Sequence, residues 1–248
     1  MAYMSKKSRK SQNTYTEPQR LCFPIDETKI HWLSMLLDAY FESDRSVYQS
    51  VAEELSKKGR ILACSRGCSF CCKTHGDIPV YPLELLGLYW FVMEKVTEAV
   101  QEIIAKQLLD FETGKGCPFL IEGACGVHPV RPMACRFFNV FHTPCKEGED
   151  PYYTRRKDVL TPDEKGKDKA LSLMLPYHGI VQRAERREAM RNSYIHQFVK
   201  NLQNINWPKV AMHLKNKDRD PLSSFEPSGQ RSRTEQRISS FHDPGIIR

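Results

Sequence analysis

Nine cysteines, Cys22, Cys64, Cys68, Cys71, Cys72, Cys117, Cys125, Cys135 and Cys145, are the side chains of this chain with the most chemistry to offer. Eight of the nine lie between positions 64 and 145, about a third of the 248 residues, and that crowding bears on what they do. Deprotonated thiols are soft ligands for zinc, iron and iron–sulfur clusters. The opening MAYMSKKSRKSQ is charged and has no apolar stretch behind it, so no secretory signal is visible and a cytoplasmic location is expected. In that reducing compartment clustered thiols point to metal coordination over a disulfide framework.

The first group reads Cys64-x3-Cys68-x2-Cys71-Cys72. Thiolates three or four residues apart on a turn can converge on one centre, and Gly67 lets the backbone wrap it without a Cβ clash. Adjacent Cys71 and Cys72 tend to point in different directions, so one of them is expected to serve a second centre or stay free. The second group, Cys117, Cys125 and Cys135 with Cys145 ten residues on, forms no sequence-local site. A tetrahedral zinc takes four ligands and a four-iron cluster takes four cysteines, so eight thiols suit two sites or one site with spares. Both counts stay open. Proline directly after a cysteine, as in Cys117-Pro118, leans toward iron–sulfur because it recurs in ferredoxin runs, whereas zinc would make the site structural. Arg131 and Arg136 are the candidate cofactor-binding residues, to offset thiolate charge or to hold an anionic group.

C-x3-C-x2-C-C, then C-P-F-L, then a cysteine ahead of V-H, then R-P-x-x-C-R, in this order, resemble the YkgJ-type cysteine-cluster family, a zinc- or iron-chelating domain. The resemblance covers residues 64–138 and implies metal ligands at Cys64, Cys68, Cys71, Cys72, Cys117, Cys125 and Cys135, with Arg131, Pro132 and Arg136 around the last. Cys22 and Cys145 lie outside the matched pattern. The flagellin lysine N-methylase subgroup is similar and implies, as an alternative, an iron–sulfur enzyme that uses S-adenosylmethionine to methylate protein lysines. Family likeness by itself does not carry that activity over.

Other constellations compete. Cys64-x3-Cys68-x-Phe70-Cys71 also has the radical S-adenosylmethionine spacing, but that enzyme needs alternating strands and helices after the motif, and long helical patterns follow here. His75, His128 and His142 lie near cysteines and could form a Cys/His nucleophile pair; dense thiols fit ligands better. A zinc-stabilised adaptor with basic tails is the interaction-class reading. No P-loop, dinucleotide glycine pattern, HExxH or GxSxG is present, which leaves nucleotide hydrolases, dehydrogenases and common proteases without support. The leading expectation is a metal-binding protein holding an iron–sulfur cluster or zinc, with a redox or metal-handling role.

The elements that must position these thiols are mainly helical. Asp26 is expected to cap a helix with Ile30, Leu33, Leu36, Leu37, Tyr40 and Phe41 on one face, and Asp44 to start another carrying Val47, Val51 and Leu55. Pro82 suits a first helical turn, with long helices over 83–96 and 98–111, and more over 165–175 and 181–202. The apolar run 83–93 contains Glu84 and is about half the ~20 residues a bilayer span needs, so a buried helix is expected and no membrane role. Between 113 and 161 periodicity vanishes among glycines and prolines, apart from a possible hairpin at Glu122-Gly123 and a short helix opened by Pro132. The fold expected is one mainly α domain, residues 21–212, with helices around an irregular, metal-stapled, cysteine-rich segment and at most a small hairpin. The net charge of +7 sits mostly in segments 1–20 and 213–248, which are expected to be disordered tails. A basic folded face is missing from this pattern, so nucleic acid is not an expected partner; metal ions are.

Overall fold

The computed structural model describes residues 16–217; most of the two expected tails lies outside the described residues. Arg20, at the start of the described chain, pairs with Glu27 at 2.7 Å and Asp38 at 2.6 Å. The first helices are α1 (Pro24–Lys29) and α2 (His31–Lys57). Asp26 does not cap; it lies in the first turn of α1 and pairs with Lys95. Nor does α2 break at Asp44. No glycine or proline interrupts 31–57, and the apolar stripe Leu33, Leu36, Leu37, Tyr40, Val47 and Val51 runs on through one buried face. Asp44 remains in register on that helix because its carboxylate takes an ion pair from Arg136 at 2.6 Å.

After α3 (Phe70–Thr74) and β1 (Pro79–Val80), Pro82 opens α4 (Pro82–Lys95). Every residue of α4 from Leu83 to Val92 is buried, Glu84 included, which makes α4 the central helix of the core. It leads into α5 (Glu98–Leu109). The hairpin is β2 (Leu120–Ile121) with β3 (Ala124–Cys125), joined by Glu122 (φ 48°) and Gly123 (φ 79°), two positive-φ residues whose twist suits a two-residue loop. Short helices α6 (Met133–Phe137) and α7 (Pro151–Thr154) interrupt the otherwise irregular 113–161 segment. Helix α8 (Glu164–Met174) packs along α2.

The expected helix over 181–202 is realised only as α9 (Arg183–Arg191). Ser193 adopts a left-handed φ of 54°, and the chain continues as a 3-10 turn, Tyr194–Phe198, whose Phe198 ring stacks on His178 at 4.6 Å. It then forms β4 (Lys200–Asn201), which pairs antiparallel with β1, Pro79 opposite Asn201. Helix α10 (Trp207–Lys215) closes against α5. The architecture is mainly helical, with two two-stranded antiparallel sheets beside the cysteine-rich segment.

Helices α2 and α8 touch where a side chain would not fit. A Cβ on Gly166 would stand 2.1 Å from Ser46 Oγ and 2.5 Å from Ser46 Cβ. Overpacking of that kind costs about 1–3 kcal/mol, more than the ~1 kcal/mol helix-propensity gain of replacing glycine by alanine. Gly166→Ala is therefore expected to lower the thermal midpoint, and Ser46→Ala in the same chain to restore part of it. Calorimetry of the single and double variants checks this; equal or higher stability of the single variant would contradict the tight contact.

Candidate metal centre

The cysteine groups are positioned by backbone contacts that span the sequence. Cys71 and Cys72 lie on α3, and the Cys72 carbonyl accepts a 2.6 Å hydrogen bond from the Cys117 N–H. That approach depends on Gly116, whose φ is +85° and whose added Cβ would stand 2.9 Å from Cys72 O and 3.2 Å from Lys73 O. Gln203, almost fully buried just after β4, donates from Nε2 to the Gly116 carbonyl at 2.7 Å, and its Oε1 accepts from the Gly114 N–H at 3.1 Å. Thus the loop holding Cys117 is gripped from both sides.

The hairpin returns Cys125 opposite Leu120, toward Cys117, and α6 supplies Cys135. Helix α6 is anchored at its start. The buried Glu84 carboxylate accepts from Met133 N–H at 2.7 Å with Oε1 and from Tyr81 N–H at 3.0 Å with Oε2, which ties α6 to the start of α4. Arg136 donates to Asp44, to the Arg131 carbonyl at 2.9 Å and to the Pro129 carbonyl at 2.6 Å, and lies 4.1 Å over the Tyr40 ring. Tyr40 Oη donates to the Val130 carbonyl at 3.0 Å.

These contacts bring Cys71, Cys72, Cys117, Cys125 and Cys135 into one neighbourhood. The Cys72 thiol has the thiols of Cys117, Cys125 and Cys71 within hydrogen-bonding reach, and those contacts hold its proton on, far above the ordinary thiol range. Its neighbours move the other way: contact with Cys72, reinforced by the charge of Arg131, brings Cys71 and Cys125 down to about 7 against the opposing effect of burial. Cys135 is pushed well up by burial and by the charges of Cys117, Cys71 and Cys125. Cys64 rises to about 11, mainly from burial, although its sulfur accepts a 3.3 Å hydrogen bond from Val140 N–H. Cys68 is exposed, and Cys22 stands apart beside Arg20.

Among the described residues, no three Cys, His, Asp or Glu side chains are placed so that together they could hold a metal ion. A thiol must lose its proton before it ligates. The donor types nevertheless suit a thiophilic ion: the Cys72 thiol adjoins those of Cys71, Cys117 and Cys125, Gly116 makes a cradle that a Cβ would fill, and a buried Arg131 Nε has no hydrogen-bond partner. Arg131 and Arg136, expected to bind a cofactor, are placed differently. Arg131 contacts His128 Nε2 at 3.0 Å, and the Arg136 guanidinium is taken up by Asp44 and backbone carbonyls; the charges of both lower Cys125. His128 is lowered by burial and by Arg131; His75 Nδ1 pairs with Asp150 at 2.8 Å, its ring on Phe138, and His142 sits at φ 66°. Sequence reasoning missed Gln203 and the anchoring role of Glu84. A glutamate inside an apolar helical run was the available signal for the second; nothing local marks the first.

Fold and donor set together describe a helical, thiol-rich domain. Residues 63–160 match the CxxCxxCC family model, described as "Putative zinc- or iron-chelating domain", and so are similar to the cysteine-cluster family that the motifs resemble. No curated protein and no solved structure matches the chain.

Two outcomes follow. Burial raises Glu84 to about 7 from an ordinary 4.5, so between those values the folded protein holds a proton that the unfolded chain has released. Stability should then fall as pH rises through that window, by up to ~3 kcal/mol, and flatten above it. Glu84→Gln should remove this slope while costing about 1–3 kcal/mol for the backbone N–H left without its acceptor. Urea unfolding of both proteins at pH 5 and pH 7.5 measures the slope, and an unchanged one would refute the assignment. Separately, Gly114 (φ +89°) and Gly116 (φ +85°) share a conformation that disfavours side chains, but only Gly116 is crowded. Gly116→Ala should lower the melting temperature and the metal content well beyond Gly114→Ala; equal effects would mean that the contact with Cys72 is unimportant.

Proposed function

We propose that this protein binds individual zinc or iron ions through cysteine thiolates, drawn from Cys64, Cys68, Cys71, Cys72, Cys117, Cys125 and Cys135, and that ligation staples the irregular 113–161 segment to the helices of a domain spanning 21–212. The observation that carries this reading is the ring of thiols around Cys72. Four sulfurs about 2.3 Å from one ion at tetrahedral angles stand ~3.8 Å apart, which is thiol contact distance. In a four-iron cube each cysteine binds a different iron, so its sulfurs must be spread around the cluster. Close thiols therefore favour a single ion, and this reverses the lean toward iron–sulfur that Cys117-Pro118 gave. Cys71, Cys72, Cys117 and Cys125 are the nearest candidates for one such ion.

The resident ion would supply Lewis-acid charge and cross-linking. The chain itself supplies soft donors, offsets their charge with Arg131, and limits access by half-burying Cys71, Cys72, Cys117, Cys125 and Cys135. A domain with this much irregular chain should draw part of its folding free energy from ligation.

Anaerobic purification followed by elemental analysis, sulfide assay and visible spectroscopy tests the reading. Zinc or iron without labile sulfide is expected. Iron with equimolar sulfide and broad brown absorption would replace it with an iron–sulfur centre, and a metal-free folded protein would end it. Cys72→Ser should lose bound ion and melt at lower temperature, while Cys22→Ser, outside the cluster, should match the parent in both.

A further inference from the structure

Helix α9 carries Arg183, Arg186, Arg187 and Arg191, an arrangement that works against the helix itself. Arg183 with Arg187, and Arg187 with Arg191, are like charges four residues apart, a spacing at which they repel and destabilise a helix. Arg183 also stands in the first turn, the end of a helix that disfavours cations. Glu185 lies one or two residues from Arg183, Arg186 and Arg187, where side chains do not face one another. Among the described residues, Arg191 is the one arginine of α9 with an ion pair, to Glu188, and Arg183, Arg186 and Arg187 have no carboxylate partner. The Nε of Arg186 is buried without a hydrogen-bond partner. A helix so arranged is short of negative charge, and broken local rules of this kind collect at functional sites.

Part of that charge lines a cleft. Helices α8 and α9 enclose about 360 Å³ between Asp168, Lys169 and Ser172 on the first and Arg187, Met190 and Arg191 on the second, a volume in the range of small-molecule sites. Three cations and a hydroxyl meet there against one carboxylate. Asp168 forms no ion pair with any of the three among the described residues. Lys169 pairs with Glu42 of α2 at 2.6 Å and Arg191 with Glu188; both cations are exposed, so these pairs are weak and exchangeable. Arg187 has no pair to exchange.

We propose that the cleft between α8 and α9 binds a small phosphate ester, held by Arg187 together with Arg191, Lys169 and the Ser172 hydroxyl. The inference goes beyond the metal-binding reading and shares no residue with the thiols. A phosphate group matches donors of this kind, because a guanidinium gives it two parallel hydrogen bonds and a lysine adds a point charge. Its negative charge would also relieve the repulsion along α9. Asp168 in the cleft, with Glu185 and Glu188 on α9, interrupts the basic surface, which disfavours a long polyanion and favours a compact one. A free phosphate ester and a phospholipid headgroup present the same chemistry to these residues.

Calorimetric titration of the full-length protein with inorganic phosphate, with glycerol phosphate, and with vesicles of phosphatidylcholine and phosphatidic acid tests this. Saturable binding of the soluble phosphates is expected; binding of the vesicles alone would assign the same site to a lipid headgroup. Arg187→Gln should weaken binding about tenfold or more, as loss of hydrogen bonds to a charged group does. Lys106→Gln, on α5 outside the cleft, should bind as the parent does. Without ligand, Arg187→Gln should melt at the same or a higher temperature, because two repulsive pairs are gone. A lower melting temperature would make Arg187 a structural residue and overturn the site. So would silence of the parent toward all three probes, or undiminished binding by Arg187→Gln. Binding of a single-stranded oligonucleotide with the three probes inert would replace the cleft by an extended polyanion surface. The parent titration decides the question even if a variant fails to fold.

Discussion

The Cys117 N–H bonded to the Cys72 carbonyl is the contact on which the sulfur neighbourhood depends. It fastens a loop after α5 to α3, and it exists only because position 116 carries no side chain and takes a positive φ. Gln203 reinforces it from a third direction, joining a loop after β4 to the carbonyl of Gly116. Three segments distant in sequence thereby become one rigid seat for thiols. Without that seat, the cysteines of 113–161 would be attached to the helical core chiefly through α6.

A crowd of ionisable sulfurs in a partly desolvated place creates an electrostatic problem that the surrounding residues answer. One thiol, that of Cys72, keeps its proton, and two of its neighbours are brought near neutrality by it and by Arg131. Binding of a metal ion by such a group would release the protons that its thiols hold. Behind the sulfurs a second layer is fully committed to structure. Glu84 joins α4 to α6, Arg136 joins α6 to α2 through Asp44, and Tyr40 reaches the Val130 carbonyl. Buried charges of this kind are retained where every member finds a partner.

How much of this was legible varies by residue, for physical reasons. The stripe Leu33, Leu36, Leu37, Tyr40 marked a helix, and Pro82 marked the start of another, because amphipathic period and proline geometry are local properties. Asp44 misled: an aspartate reads as a cap until its long-range partner, Arg136, is known. Residues 181–202 misled as well, since the pairing of β4 with β1 pulls the chain out of the helix that its pattern favours. The Glu122-Gly123 turn was readable, because two consecutive residues with positive φ have a recognisable composition.

Cysteine type and spacing alone determined the likeness of residues 63–160 to a zinc- or iron-chelating domain, and apolar period the mainly helical chain around it, because ligand softness and helical period belong to the residues themselves. Which thiols become neighbours was decided only in three dimensions. The nearness of Cys72 to Cys117 and Cys125 arises from backbone pairings across long stretches of chain. Spacing cannot encode those meetings, since a loop of forty residues can close in many ways at nearly the same entropic cost.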